Sequence, residues 1–368
     1  MKLFQIAPQI YEFNSFSDFA QSFRLCETDL LFTGAHTFRT LKDTELPCIT
    51  ILRDDYGSGE PTDVMVNAIL SEAAKHTFHR IIAVGGGAIL DIAKIIAVAG
   101  GCTDVSELYA HTDSLQADKE LIAVPTTCGT GSEVTNISIV YRSDIDTKQG
   151  LVSDVMYPRY AVLIPELLET MPYNVFATSS IDALIHAVES YLSPLATPYS
   201  EMYSVAAVRE ILQCYIETVS RKNDFRPSCP QLLKASNYAG IAFSNAGCGP
   251  VHAMSFAFGG KYHVPHGESN YQFFLPVLSF YKKTAPDGKI RSLEQLLSEV
   301  TGNPDGFKGL EELLEKILPA KPMHAYGASE DDIEPFTEST AANQQRLLGR
   351  QYCQMDKEDI YHIYRSCL

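Results

Sequence analysis

Nothing in this sequence is long and apolar enough to cross a bilayer: no stretch approaches the roughly 20 apolar residues that a spanning helix needs. Positive charge is scarce too. Lys and Arg number 29 against 45 Asp and Glu, a formal net charge of −16 at pH 7, which argues against nucleic acid or an anionic membrane as partner. Paired cysteine motifs are missing. The nine cysteines are scattered, odd in number and form no CxxC, so neither a disulfide framework nor a zinc ribbon is expected, and a reducing compartment is. The opening MKLFQIAPQIYEF has one Lys and no sustained apolar run, unlike a signal peptide, and a cytoplasmic protein is expected. Repeats of fixed period and low-complexity segments are also missing.

What is present is a chain of 368 residues, 45% hydrophobic and 20% charged. That is enough for a sizeable core and more than one ordinary domain needs, so two domains are expected. Up to about residue 165, short β-branched runs alternate with helical patterns, the mark of βαβ units and a mostly parallel sheet. DLLFTGAHTF, PCITILRDDYG, RIIAVGGGAILDIAK and ELIAVPTTCGTGSEVT each read as a strand entering a turn or helix, and YAVLIPELLETMP as the last strand. Beyond Pro165, long amphipathic stretches such as PYSEMYSVAAVREILQCYIETVSR dominate. The expected division is an α/β domain over 1–165 and an all-helical domain over 166–368.

Two glycine-rich turns stand at strand ends. Arg80–Val84 runs into Gly85-Gly86-Gly87 and then a helical stretch from Ala88 through Asp91 to Lys94. Strand, glycine turn and helix together aim free N–H groups at a phosphate, and a Cβ would hold a pyrophosphate off. The spacing is not the usual GxGxxG, and a tight structural turn explains it equally well. The second turn, Pro125-Thr126-Thr127-Cys128-Gly129-Thr130-Gly131-Ser132, also follows a strand and is rich in hydroxyls. Two such loops at successive strand ends suit a dinucleotide.

In the second half, SSIDALIHAVESYLS places Asp182 and His186 four apart on a helix that Ser180 is positioned to cap. Two ligand-type side chains at i, i+4 clasp a cation in the manner of HExxH helices, although such a pair is more often a hydrogen bond. CGPVHAMSFAFGGKYHVPHGESN adds His252, His263 and His266. Pro250 suits the first turn of a helix carrying His252, Gly259-Gly260 its end, and His266 a loop. One Asp and two or three His suit a divalent first-row metal with an open position, without choosing among iron, zinc, manganese and cobalt.

Taken together, these motifs resemble the iron-containing (group III) alcohol dehydrogenase family. VGGGAILDIAK is similar to its GGGS-x-x-D-x-x-K loop and PTTCGTGSEVT to its PTTxGTGSE segment, in family order along nearly the whole chain. The resemblance implies a Rossmann-like N-terminal domain, an all-α C-terminal domain in the dehydroquinate synthase-like architecture, and a homodimer. It implies NAD at Gly34, Gly86, Gly87, Ala88, Asp91, Thr126, Thr127, Thr130 and Lys148. It also implies one divalent metal, Fe2+ first and Zn2+ second, held by Asp182, His186, His252 and His266. SEVTNISIV, TSSIDALIHAVESYLSP, GGKYHVPHGESNYQFF and QQRLL resemble members acting on a short ω-hydroxy acid, 4-hydroxybutyrate above all.

There are departures from the pattern. Ala88 and Cys128 stand where Ser is common. Gly34 stands where many members carry an Asp that bonds the adenosine ribose, so NAD and NADP should be only moderately distinguished. Phe256 replaces a proton-relay histidine, while His263 is an added one and the candidate catalytic residue, as relay or facing the substrate carboxylate. Lys261 and Arg346 are candidate partners for that carboxylate. The rival readings are a same-fold dehydrogenase for a diol or simple alcohol, a dehydroquinate-synthase-like lyase, and a non-catalytic sensor.

Overall fold

The structure is a computed structural model and describes residues 2–41, 44, 46–145 and 147–368. Its contacts gather Ile6–Met171 into one unit, and Pro172–Leu368 with the residues up to Gln5 into another. The expected boundary at 165 stands one short 3-10 turn, Pro165–Leu168, ahead of that division.

The first unit is built on β1 (Gln9–Glu12), α1 (Phe16–Ser22), β2 (Asp29–Thr33), α2 (Ala35–Thr40), β3 (Ile49–Leu52), α3 (Asp63–Ala73), β4 (Arg80–Gly85), α4 (Gly87–Val98), α5 (Val105–Ala110), β5 (Glu120–Pro125), β6 (Ile137–Arg142), β7 (Thr147–Val152) and β8 (Tyr160–Leu163). Six strands form one parallel sheet in the order β1-β8-β5-β4-β2-β3. The remaining pair, β6 and β7, is an antiparallel hairpin. Side chains alternate across the sheet. Leu30, Phe32, Ile81 and Ala83 face a core with Ile69 of α3 and Ile92 of α4, while Leu31, Ile82 and Val84 face Phe16 and Phe19 of α1. Burial on both faces explains the near-continuous apolar strands. From β2 the chain moves outward to β3, then returns to β4 and continues through β5 to β8. The reversal falls between β2 and β4, so the turns after Thr33 and Gly85 flank the place where open α/β sheets bind ligands.

The second unit holds α6 (Tyr173–Leu192), α7 (Pro198–Ser220), α8 (Cys229–Ala246), α9 (Pro250–Tyr262), α10 (His266–Thr284), α11 (Lys289–Thr301), α12 (Gly306–Ile317), α13 (Glu330–Asn343), α14 (Gln345–Leu348) and α15 (Lys357–Ser366). α6 is packed by α7, α8 and α10, and from Ser180 to Ser190 every residue is buried. A helix wrapped on all sides reads as an apolar run interrupted only by residues with work to do. Among the described residues, no helix is long and apolar enough to cross a membrane.

Candidate nucleotide and metal sites

In the first unit the two glycine-rich turns meet. Gly85 of β4 stands opposite Pro125 of β5, and its carbonyl accepts from the Thr126 N–H at 3.0 Å. Gly86 caps α4 in extended backbone, leaving the N–H groups of Gly87 and Ala88 ahead of the helix's first acceptors. The glycines differ in what surrounds them. A Cβ on Gly87 would lie 2.6 Å from Thr130 Cγ2, whereas one on Gly86 would lie 3.4 Å from Thr127 Cγ2. Gly87 is therefore required by the packing of Thr130, while Gly86 is compatible with a side chain as far as the protein is concerned. The structure brings Gly86, Gly87, Ala88, Thr126, Thr127 and Thr130 to neighbouring strand ends.

The acidic and basic members of the first motif also hold the second loop. Asp91 accepts from Ser132 Oγ at 2.5 Å and from the Ile139 N–H at 3.0 Å. Lys94 is fully buried and donates to Ser132 Oγ, Thr135 Oγ1 and the Ile137 carbonyl at 2.6, 2.8 and 2.8 Å. Burial pushes its ammonium down to about 8, against the pull of Asp91 and Glu133. Together they strut the second loop from below. Lys148 lies on β7, its ammonium paired with Glu60.

Gly34 caps α2 at the end of β2, and a carboxylate is close by. Asp54, just beyond β3, accepts from the Ala35 N–H at 2.8 Å, and a Cβ on Gly34 would lie 3.2 Å from its Oδ2. The next strand thus supplies an acid next to the position where position 34 lacks one.

The second unit gathers all four expected ligands. His186, His252 and His266 place their Nε2 atoms 4.0, 3.7 and 3.8 Å from Asp182 Oδ1. His252 Nδ1 lies 2.6 Å from Glu189 Oε2. A carboxylate only accepts, so Nδ1 carries a proton, and in the neutral ring that can ligate a metal Nε2 is the lone pair. That buried Nε2 has no hydrogen-bond partner, although it faces a carboxylate oxygen. These two atoms, 3.7 Å apart in a dry interior, need a proton or a metal cation between them. Burial would raise the Asp182 carboxyl, but His186, His266 and His252 hold it far below the usual range. A divalent metal fits this donor set, and His266, with its side chain 33% exposed, stands on the accessible side.

The supports explain the precision. Glu189 also accepts from the Val251 N–H at 2.7 Å, anchoring the start of α9. Asn270 donates to Asp182 Oδ1 at 2.7 Å and lies 3.2 Å from His266 Nε2. Cys248, buried, forms a group with His186 and His252 and places a soft donor beside the ligands. Burial raises its thiol, but His252 and His186 outweigh that and bring it to about 7. The sequence reading missed Glu189, Asn270 and Cys248, although Glu189 extends the Asp182–His186 stripe to i+7 and Asn270 is i+4 from His266.

Several local expectations are corrected. Ser180 does not cap α6, which begins seven residues earlier at Tyr173; buried in mid-helix, it accepts from Tyr215 Oη at 2.9 Å. Gly259-Gly260 does not end α9, which runs to Tyr262, and His266 opens α10 rather than sitting in a loop. His263 is exposed and belongs to neither ligand group; at φ 52° it is the left-handed residue that terminates α9. Phe256 stands 6.0 Å from His266 between ring centroids. Lys261 is ion-paired with Asp332, which also takes the Tyr262 hydroxyl.

Residues 20–165 match the family profile described as iron-containing alcohol dehydrogenase, and residues 176–368 match the C-terminal profile of the Fe-containing alcohol dehydrogenase family. The chain is 43% identical to the 4-hydroxybutyrate dehydrogenase of Clostridium kluyveri across 100% of both chains. It is 34% identical to long-chain-alcohol dehydrogenase 1 of Geobacillus thermodenitrificans over 78% of this chain and 75% of that one. Among solved structures, sulfoacetaldehyde reductase from Bifidobacterium kashiwanohense in complex with NAD+ superposes with a TM-score of 0.85. It is 20% identical, with 99% of this chain and 98% of that one covered.

Proposed function

The chain belongs to the iron-containing alcohol dehydrogenase family, and from that premise we propose that it interconverts 4-hydroxybutyrate and succinate semialdehyde with NAD. The observation that carries this is the 43% identity, end to end, with a 4-hydroxybutyrate dehydrogenase. In the forward direction the C–H of the carbinol carbon leaves as hydride to the nicotinamide, the O–H proton goes to water, and the products are the aldehyde and NADH.

Asp182, His186, His252 and His266 would hold the metal, Fe2+ before Zn2+. Bound there, it supplies Lewis-acid polarisation of the substrate oxygen. Glu189 keeps His252 in the tautomer that offers Nε2, and Asn270 orients Asp182. The Gly87 and Ala88 N–H groups and the Thr126, Thr127 and Thr130 hydroxyls would bind the pyrophosphate. His263, the exposed left-handed residue that ends α9, is the candidate to relay the O–H proton to water. A homodimer, implied by the family resemblance, completes the proposal, in the reducing cytoplasm that the scattered cysteines suit.

Because Gly86 tolerates a Cβ within the protein, Gly86→Ala separates phosphate binding from folding. The variant should melt like the wild type yet bind NADH about tenfold more weakly, ~1.4 kcal/mol, in a fluorescence titration. Unchanged affinity would make the turn merely structural.

Asp54 alters the expectation drawn from Gly34. We propose that its carboxylate bonds the adenosine ribose and repels a 2′-phosphate, so the enzyme should favour NAD clearly. Asp54→Asn should relax that preference by roughly 30-fold, whereas Gly34→Asp, which sets a second carboxylate against Asp54, should weaken both cofactors. Kinetics with NAD and NADP on all three proteins decide it, and a preference untouched by Asp54→Asn refutes the assignment.

The substrate itself is tested by initial rates of NADH formation with 4-hydroxybutyrate, 1-butanol and 1,3-propanediol. The highest kcat/KM should fall to 4-hydroxybutyrate. Preference for an uncharged alcohol would favour the simple-alcohol reading, and turnover without net NADH the lyase.

A further inference from the structure

Arg350 follows α14 and is half-buried. Its side chain lies directly on Gly247, where a Cβ would stand 3.1 Å from Nε and 3.4 Å from Cγ. Gly247 has a φ of 80°, so both its backbone and its neighbour require glycine. The next residue is Cys248, grouped with His186 and His252. The one after, Gly249, would meet Glu189 Oε1 at 3.1 Å and the Arg350 carbonyl at 3.5 Å if it carried a Cβ. One three-residue turn therefore separates this guanidinium from the metal ligands and their supporting acid.

Arg350 and Arg346 have no acidic partner or side-chain acceptor among the described residues. Burial and the nearby Arg346 both push the Arg350 guanidinium down. In a chain with 16 more acids than bases, a half-buried Arg350 without an acid is conspicuous, because a partly desolvated charge is costly unless paired; Arg346 beside it is exposed. An anion from outside the chain would complete the arrangement, and a planar fork matches a carboxylate through two parallel N–H···O bonds.

We propose that Arg350, backed by Arg346, binds the substrate carboxylate and thereby selects an ω-hydroxy acid over an alcohol of the same length. This rests on the dehydrogenase function proposed above and names the group that determines its specificity.

The test compares the wild type with Arg350→Gln and Arg350→Lys, all metal-loaded, on 4-hydroxybutyrate and on 1-butanol, which lacks only the carboxylate function. Arg350→Gln should raise the KM for 4-hydroxybutyrate about 50-fold, ~2.4 kcal/mol, with kcat changed far less. Its kcat/KM on 1-butanol and its affinity for NADH should stay within about twofold of wild type. Arg350→Lys, a cation without the fork, should recover part of the loss. Calorimetry of 4-hydroxybutyrate binding to the enzyme–NADH complex, which does not turn over, should show the same loss without catalysis. Equal losses on both substrates would mark a structural role, and a fall in NADH affinity would mark a cofactor contact; either overturns the proposal. A wild type that prefers acids, with an equally selective Arg350→Gln, refutes the inference alone. A wild type indifferent to the carboxylate refutes the assigned substrate as well.

Discussion

Asp182→Asn is expected to yield a folded protein that holds no metal and reduces no NAD at a measurable rate. Asp182 Oδ1 is the point on which three imidazole nitrogens converge, at 3.7 to 4.0 Å, and it is the buried negative charge in that group. Asn preserves the shape and removes the charge. An amide also turns two donors toward nitrogens or an oxygen that must present lone pairs. Removing one partner from a buried ionic cluster typically costs about 3–5 kcal/mol, which is roughly a thousandfold in metal affinity. Metal analysis of the purified variant, beside its melting curve, reads the result. A variant with full metal content would mean that the three histidines hold the ion without the carboxylate.

Gly267→Ala should be the most damaging single methyl group in the second unit. Gly267 follows His266 at the start of α10, where that helix presses on α6. A Cβ there would lie 2.0 Å from the Thr178 carbonyl oxygen and 3.2 Å from Asp182 Cβ. The obstacle is backbone, which cannot rotate away, so α10 must move off α6 and take His266 with it. Overpacking of this kind costs about 3 kcal/mol, and metal affinity should fall more than tenfold, because His266 moves relative to Asp182. Gly260→Ala is the matched control. Nothing lies within 4 Å of a Cβ there, and a helix interior gains about 0.5–1 kcal/mol from Ala over Gly. Thermal unfolding of both proteins should shift in opposite directions. If Gly267→Ala melts like the wild type with its metal in place, the close approach of α10 to α6 is wrong.

How much of this was legible in the sequence depends on which forces are local. The strands β2, β4 and β5 were readable because burial on both faces leaves continuous apolar runs, the edge strand β3 from its β-branched residues although only Ile51 is buried, and the glycine turns because glycine has few other uses after a buried strand. The exposed β1, whose four residues all face solvent, and the β6–β7 hairpin carry weaker patterns and were not read. Ser180 looked like a cap because nothing local reveals Tyr215 waiting for its hydroxyl. His266 looked like a loop residue because Pro265 and Gly267 flank it, yet Pro265 is the cap and Gly267 the packing site. Asp182 and His186 were legible from their spacing, but pairing Glu189 with His252 needs contact across 63 positions. Asp54 beside Gly34 depends on strand order, and Arg350 over Gly247 on tertiary packing. Periodicity encodes neither.

The central claim is that a metal held by Asp182, His186, His252 and His266 makes this chain a 4-hydroxybutyrate dehydrogenase. Titration of the chelator-stripped protein with Fe2+ under anaerobic conditions, following NADH formation from 4-hydroxybutyrate, tests it most directly. Activity should rise in proportion to metal and level off at one ion per chain, with Asp182→Asn silent throughout. Undiminished activity in the stripped protein, or a plateau reached equally by Asp182→Asn, would contradict it.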